Sequence, residues 1–519
     1  MRTQTLTTSI AAIACMLAVG TPWAAGTLSG TVSVGGLIVD EEGDRSTVQE
    51  TYNLYEGFLV SRIQLAGSFD PRNTFTLDLR DLNRASRTGD LVYRVPGVFK
   101  LRAGYDQSRY VFDPGRGVTS ERKDWQLGLQ YTPNRRLSLS GDFSLLDREG
   151  ERLAYPVGTV SVLGTRYDNT FMSGQFTADL RAGRRGGGLS FRMSDHSDAL
   201  NPTADRRGYV AAARLYAPMP FYDKWNNLLR GSYGIRRLQD GNLDHTLSAF
   251  QYTAIVQPQD AYELRYAFAA SRVDDAAAQL MTDRYQNDVD ATWFHRYGRL
   301  SAGYGYEMND DDRTLTTYHS WRAAATARPD RRITARVDYA GRVKKDQEEL
   351  TLLKDIEASR VRVMLEVQPI ERLTIGGDYT NRQRDLPDIQ VTLDGEVTGA
   401  FGRYQLPGWG AVSADYRHAT DRYVDRVAGF DTRSDIVTGR IDIERIRNLR
   451  VASGVAYIDI GDDLDIEKST VFVEAAVRVL QRYRLEAKYN CYNYDDYILI
   501  DRYYTANVVR IDLGYDLQP

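Results

Sequence analysis

Apolar and polar residues alternate with a period of two along most of the chain. In the segment 331–339, one face carries Ile333, Ala335, Val337 and Tyr339, and the other carries Thr334, Arg336 and Asp338. A period of two indicates β-strands. The alternation continues for about 9 to 11 residues, enough for a tilted strand to cross a bilayer, whereas soluble strands usually have about 5 or 6. The pattern therefore favours membrane-spanning strands over a soluble antiparallel sheet.

A phrase made of a turn and a strand recurs along the chain. Four copies are plain: TPNRRLSLSGDF at 132–143, QPQDAYELRYAF at 257–268, RPDRRITARVDY at 328–339 and QPIERLTIGGDY at 368–379. Weaker copies lie at 70–79, 95–105, 182–191, 218–234, 295–306, 406–416, 444–457 and 480–489. Successive copies are mostly roughly 34 to 40 residues apart, a period that a soluble solenoid also uses. The length over which apolar and polar residues alternate favours a barrel, whereas the repeat period does not decide between the two.

The repeat predicts an all-β protein, a large transmembrane antiparallel up-and-down β-barrel. About twelve turns, a first strand at 28–39 and a last at 505–517 give about 26 strands, with a range of about 22 to 26. Short turns should face the periplasm, and longer, acidic connections such as those at 40–44, 309–312 and 461–467 should face outside. Four tyrosines are expected to anchor the barrel at the lipid interface: Tyr131, Tyr339, Tyr379 and Tyr416.

The N-terminus predicts export. Residues 1–25 have a positive start at Arg2, an apolar stretch and small residues at Ala24 and Ala25, as in a secretory signal peptide. Residues 26–519 would then form a single outer-membrane barrel domain. A lipoprotein acylated at Cys15 is the less favoured alternative, because the stretch before Cys15 has only a short apolar run and contains polar residues. Cys491 would be the one cysteine of the mature chain, with no partner for an internal disulfide.

Composition excludes other classes. No run of about 18 apolar residues is present, so a helical membrane protein is excluded. Aromatic residues make up 11% of the chain, which argues against disorder. The formal charge of −4, without a basic block, argues against a nucleic-acid partner. The sequence has no CxxCH motif, so it predicts no cofactor of its own and no covalently attached haem.

A barrel of this size needs a filled lumen. At about 26 strands the backbone radius is roughly 26 Å, which leaves a lumen roughly 35 to 40 Å across. The first predicted strand follows the signal almost directly, and the longest predicted insertion, 144–170, could narrow the lumen only in part. The inward positions mix both charge signs, for example at Arg336, Asp338, Arg362, Glu366, Arg484 and Lys488. Such a wall suits a hydrophilic partner and does not indicate simple anion or cation selection.

The length, the P-x-x-R-[LI] turn phrase and the opening GTVSVGGLIVDEEGD…YNLYEGFLV resemble the MtrB/PioB family of outer-membrane barrels. The resemblance covers nearly the whole mature chain. It implies a sheath that holds a periplasmic decahaem c-type cytochrome in its lumen, where haem carried by that partner conducts electrons across the outer membrane. A second, extracellular multihaem cytochrome often docks outside. The chain departs from the family in its shorter loops, in lacking the CxxC of some members and in ending Leu517-Gln518-Pro519.

No motif predicts catalysis, so no catalytic, cofactor-binding or metal residue is assigned and the protein is predicted not to be an enzyme. The five histidines share no ligand spacing, and they are expected in turns, loops or near strand ends: His196, His245, His295, His319 and His418. The acidic connections could bind Ca²⁺ but lack the EF-hand register. GRRGGG at 183–188 lacks the GK[ST] ending of a phosphate loop and is interpreted as a turn.

Two alternatives stay open at this point. One is an outer-membrane channel for export of a solute or polysaccharide. The other is a membrane enzyme or adhesin, which no motif supports. The sequence leaves undecided which cytochrome would bind and in which direction electrons would flow.

Overall fold

In the computed structural model the chain forms one closed antiparallel sheet of 26 strands. The structure describes residues 27–43, 56–70, 72–113, 118–152, 165–238, 243–276, 278–311, 313–347, 355–388, 390–424, 429–444, 448–463, 465–497 and 503–517. The predicted signal peptide at 1–25 lies outside the described residues.

The strands are β1 (Thr27–Gly43), β2 (Gly57–Asp70), β3 (Asn73–Arg80), β4 (Arg87–Val95), β5 (Phe99–Asp113), β6 (Val118–Asn134), β7 (Leu137–Arg152), β8 (Thr165–Ala182), β9 (Arg185–Asp198), β10 (Arg206–Met219), β11 (Tyr222–Leu238), β12 (Leu243–Gln259), β13 (Tyr262–Asp275), β14 (Leu280–His295), β15 (Gly298–Asp310), β16 (Leu315–Asp330), β17 (Ile333–Asp346), β18 (Ile356–Ile370), β19 (Leu373–Leu386), β20 (Val391–Leu406), β21 (Gly410–Val424), β22 (Gly429–Ile443), β23 (Leu449–Asp462), β24 (Ile466–Leu480), β25 (Tyr483–Asp496) and β26 (Tyr504–Leu517). One 3-10 turn, Pro202–Ala204, interrupts the β9–β10 connection. The described residues include no helix long and apolar enough to span a bilayer.

Each strand pairs with its neighbours in the sequence, and the last strand pairs with the first. Strands β1 and β26 close the barrel from Gly30 opposite Leu517 to Gly43 opposite Tyr504. Closure satisfies the backbone groups that an open sheet edge would leave unpaired in lipid. The predicted fold class is therefore confirmed.

The twelve connections at one end of the barrel fall where the repeated phrase predicts them. Most contain two residues between strands, as at 135–136, 331–332 and 371–372. Side chains close several of these turns. Asn134 Oδ1, for instance, accepts hydrogen bonds from the amides of Arg136 and Leu137, at 2.9 and 3.0 Å. We call this end the turn rim and the opposite end the loop rim. Gly183 adopts φ +65° in the GRRGGG segment, which is a turn followed by the start of β9.

One prediction about connections is wrong, and a second is wrong in part. The segment 144–170 is mostly strand, since β7 runs to Arg152 and β8 starts at Thr165. His196, His245 and His295 lie at or near strand ends, as expected, whereas His319 and His418 lie farther inside their strands. Both errors have the same cause: most strands have 13 to 18 residues, longer than a bilayer requires, so they carry polar residues beyond the membrane.

The outward face of the strands is apolar and ringed by aromatic residues. The four predicted tyrosine anchors lie on this face, and they are 36 to 43% exposed. Several outward aromatic groups also bond to polar neighbours. Trp321 Nε1 donates to the Tyr339 hydroxyl at 2.9 Å, and the Tyr416 hydroxyl donates to Asp435 at 2.7 Å. An apolar ring with a polar tip is the group that the bilayer interface favours.

Candidate functional site: the lumenal wall

Cross-strand register assigns each strand residue to the lipid or the lumen. Residues opposite each other share a face, so the row through Arg336 also carries Met364 and Asp378. The lipid face is the apolar one. The six predicted wall residues all lie on the other, lumenal face: Arg336, Asp338, Arg362, Glu366, Arg484 and Lys488.

A recurring unit on this wall joins an arginine and an aspartate that are two strands apart, across a glycine. Arg322 on β16 donates from Nε and Nη2 to Asp290 on β14, at 2.6 Å each. Gly303 on β15 lies between them and is opposite both. A Cβ on Gly303 would collide with the Asp290 carboxylate. The glycine therefore leaves the space through which the arginine reaches its partner.

Two further units have the same construction. In one, Arg214 donates to both carboxylate oxygens of Asp179 at 2.6 and 2.7 Å, over Gly188. In the other, Arg382 donates to Asp421 at 2.5 Å over Gly395. We call these three units arginine straps. Each ties three strands together through side chains, in addition to the backbone ladder.

Other lumenal ion pairs join residues two apart in one strand, because alternate residues of a strand share a face. Arg336 Nε donates to Asp338 at 2.6 Å, and Arg440 Nη2 donates to Asp442 at 2.9 Å. A similar pair joins Arg484 and Glu486 at 2.7 Å. The side chains are substantially exposed, so each pair contributes little to stability. Their main effect is a hydrophilic wall with its charges held in place.

A group of possible metal ligands lies near the loop rim. One ligand atom from each of Asp244, His245 and Asp275 lies within 4.8 Å of the others. Asp244, however, is already bound by Arg236 at 2.6 Å and by Arg206 at 3.1 Å. Two guanidinium groups on the same carboxylate make this a charge network and oppose cation binding. Sequence reasoning missed the group because its members come from two strands.

An apolar cluster where the barrel closes was also missed. Tyr504, Ala506 and Val508 are 1%, 0% and 1% exposed and share the lumenal side of β26 with Arg510. The ring of Tyr494 stacks on Tyr504 with centroids 5.4 Å apart. The signal was present: in 504–508 the alternation is reversed, with polar Thr505 and Asn507 at the positions that face lipid farther along the strand.

A connection between β3 and β4 reinforces this closure. The amides of Asp81 and Leu82 donate to the carbonyls of Ser61 and Val60 at 3.0 and 3.1 Å, and so extend the sheet beside β2. Asp81 lies 3.7 Å from Arg510 on β26. Burial raises the pKa of Asp81, while Arg510 opposes the increase. Ser61 also bonds to Asp512, so β2, the β3–β4 connection and β26 share one polar network.

The fold and wall define a large β-barrel of the outer-membrane type. No protein-family model matches the chain, and no curated protein sequence matches it either. Among solved structures, the FrpB iron transporter from Neisseria meningitidis (F3-3 variant) is similar with a TM-score of 0.53 and 8% identity, over 95% of this chain and 82% of that chain. That similarity shows the fold alone.

Two other structures are more distant. The siderophore receptor PirA from Pseudomonas aeruginosa has a TM-score of 0.48 and 9% identity, over 95% of this chain and 80% of that chain. The alcaligin outer membrane receptor FauA from Bordetella pertussis has a TM-score of 0.43 and 11% identity, over 94% and 76%.

Proposed function

We propose that this barrel is a non-enzymatic outer-membrane sheath whose lumen holds a periplasmic multihaem c-type cytochrome, so that the pair conducts electrons across the outer membrane. The resemblance to the MtrB/PioB family implies the same arrangement. The observation that carries the proposal is a wide lumen whose wall is built from fixed, exposed ion pairs. In the part of the chain that the structure describes, residues outside the strands belong to connections at the two rims.

The size of the lumen favours a protein over a small solute. A width of roughly 35 to 40 Å follows from the strand number and spacing. A compact domain of about 100 residues has a radius of gyration of about 13 Å, which corresponds to a sphere roughly 33 Å across. A hydrophilic protein of that cross-section would fill the lumen and keep its surface against the charged wall.

The sequence indicates which of the two proteins would carry the haem. Without a CxxCH motif, the barrel has no site for covalent attachment of c-type haem, so haem would come with the partner. The barrel would supply an insulating wall and a fixed position. In this orientation the turn rim faces the periplasm, because short turns lie on that side of outer-membrane barrels. The export signal predicted at residues 1–25 supports the same location.

The test is purification of the tagged barrel in mild detergent from cells that make periplasmic multihaem cytochromes. A haem-staining band in near-stoichiometric amount, with a Soret absorption peak, is expected. The matched control is the same barrel from cells unable to attach c-type haem, in which the barrel should be less stable and colourless.

A colourless, stable barrel from the cytochrome-producing cells would contradict the proposal. Planar-bilayer conductance then examines the alternative, an export channel for a solute or polysaccharide. A large open pore would favour that alternative.

A further inference from the structure

Six arginines form one patch on the lumenal face of β16–β19. We call it the arginine patch: Arg322, Arg342, Arg360, Arg362, Arg382 and Arg384. Register fixes their proximity. Arg322 is opposite Ala340, Ala340 is opposite Arg360, and Arg360 is opposite Arg382. Arg342 and Arg384 are both opposite Ala358 in the adjacent row toward the loop rim.

Carboxylates compensate only part of the patch. Arg322 forms an ion pair with Asp290 on β14, and Arg382 forms one with Asp421 on β21. Arg342 lies 3.5 Å from Glu307 on β15. Asp338, which is opposite Arg362, is instead bound by Arg336 at 2.6 Å. The carboxylates that reach the patch thus come mainly from its two sides.

Three arginines of the patch have no carboxylate partner. Within the described residues, Arg360, Arg362 and Arg384 form no ion pair within 4.0 Å, and all three are exposed to the lumen. Like charges on neighbouring strands are destabilising. A concave wall also concentrates the field of such charges in the lumen. The excess of positive charge is therefore directed at whatever occupies the lumen.

We infer that the arginine patch docks an acidic surface of the protein that fills the lumen. The inference rests on the proposed function for the nature of that occupant. Arginine suits the role, because its planar guanidinium binds a carboxylate through two parallel hydrogen bonds. The partner's complementary surface carries clustered aspartate or glutamate and faces β16–β19 in the half of the lumen nearer the loop rim.

The test compares two triple variants that remove equal charge from the lumen. One is Arg360→Gln/Arg362→Gln/Arg384→Gln. The matched control is Arg192→Gln/Arg230→Gln/Arg265→Gln, which replaces lumenal arginines on β9, β11 and β13 that also lack an ion pair in the described structure. Each tagged barrel is purified together with its haem protein. The fraction of haem protein that stays bound to the barrel is then measured at increasing NaCl concentrations.

The patch variant should release the haem protein at lower salt, with at least about tenfold weaker retention than wild type. The control variant should stay near wild type. Equal retention by both variants would overturn the inference. Heat-modified mobility on gels checks that both barrels are folded.

A second experiment distinguishes failure of the proposed function from failure of the inference about the arginine patch. If wild type brings down no haem protein, poly-L-glutamate is added to the purified barrel in planar bilayers. Block of wild type and the control variant, with loss of block in the patch variant, would support the patch as a site for acidic polypeptides. Block by dextran sulfate alone, or equal block of all three barrels, would overturn it.

Discussion

Arg322 and Asp290 are joined by two hydrogen bonds of 2.6 Å although a whole strand separates them, and Gly303 on that strand provides the space. The arrangement recurs in the other two arginine straps. It explains why glycine occurs at lumenal positions of strands where another residue would make a better β-former.

Replacing this glycine should disrupt its strap. In Gly303→Ala the new Cβ would collide with the Asp290 carboxylate, so the ion pair must shift or break. We expect the free energy of unfolding to fall by at most about 1 kcal/mol, because the clash involves the ends of two side chains and the arginine is partly exposed, so losing the pair relieves it. Urea unfolding of the folded barrel, followed by gel mobility, measures the change.

The control for that experiment is Gly104→Ala. Gly104 also faces the lumen, but its added Cβ would meet only Gln126 Cβ at 3.7 Å, an ordinary contact. Equal destabilisation of the two variants would show that the strap does not depend on the glycine.

The strap should also require arginine. Arg322→Lys keeps the charge but loses the paired bonds to Asp290. Because the arginine side chain is 47% exposed, we expect a loss of at most about 1 kcal/mol in the free energy of unfolding. A double-mutant cycle with Asp290→Asn isolates the interaction. Arg360→Lys, at a position without an ion pair, should leave stability unchanged; a coupling energy of zero would contradict the strap.

Adjacent residues of β18 should report opposite environments. Arg362→Cys and Val363→Cys, each in a Cys491→Ser background, place a thiol on the lumenal and lipid faces. A charged, water-soluble maleimide should label Arg362→Cys rapidly in the empty barrel and slowly when the lumen is occupied.

The same reagent should not label Val363→Cys in either state, because lipid covers that face. A lipid-soluble maleimide supplies the control that this thiol is present and reactive. Equal labelling of both positions by the charged reagent would contradict the assignment of faces.

The β15–β16 connection should loosen in acid. Burial would raise the pKa of Asp311, but hydrogen bonds from the amide and hydroxyl of Thr314, at 2.6 and 2.9 Å, and from the Arg313 amide outweigh it and leave the pKa below its usual value. Since the folded pKa is depressed, the stabilisation is complete above the unfolded value of about 3.9 and is lost as pH falls through the folded value.

Pepsin measures this change. Cleavage in the connection should increase as pH falls below about 4, by more than the enzyme's own activity explains. In Asp311→Asn the acceptor oxygen remains but does not titrate, so susceptibility relative to a reference substrate should stay constant. The same pH response in both proteins would exclude Asp311 as the cause.

The fold was predictable because its signals are local. Alternation in segments such as 331–339 identifies a strand and its two faces, and the repeated turn phrase marks all twelve connections of the turn rim. The extent of the strands was not predictable in the same way, because polar residues such as those of 144–152 look like a loop even where the sheet continues beyond the membrane.

The sequence predicted which residues line the lumen, but not which of them pair with each other. The positions of Arg336 and Asp338 on the lumenal face follow from alternation, but the choice of partner does not. Arg322 and Asp290 are 32 residues apart, and the members of the other two straps are 35 and 39 residues apart. These separations lie close to the repeat period, because each strap spans two strands; register was needed to identify the pairs.

The sequence pattern predicted a wall that carries both charge signs, but it did not show where one sign is in local excess. Arg360, Arg362 and Arg384 look like ordinary members of alternating strands. Only the alignment of β18 with β19 shows that these three arginines lie together, and within the described residues none of them is paired with a carboxylate. An average over the chain therefore conceals the local excess of charge.

The pairing of β1 with β26 has a consequence for biogenesis. The first strand to emerge from the translocation machinery finds its second neighbour only when the last segment, Tyr504–Leu517, has been delivered. Until then two unpaired edges persist, and such edges recruit other strands. Contacts so distant along the chain also slow folding. We therefore expect the unfinished barrel to require a chaperone. A chain truncated before its final strand should be degraded before it inserts into the membrane.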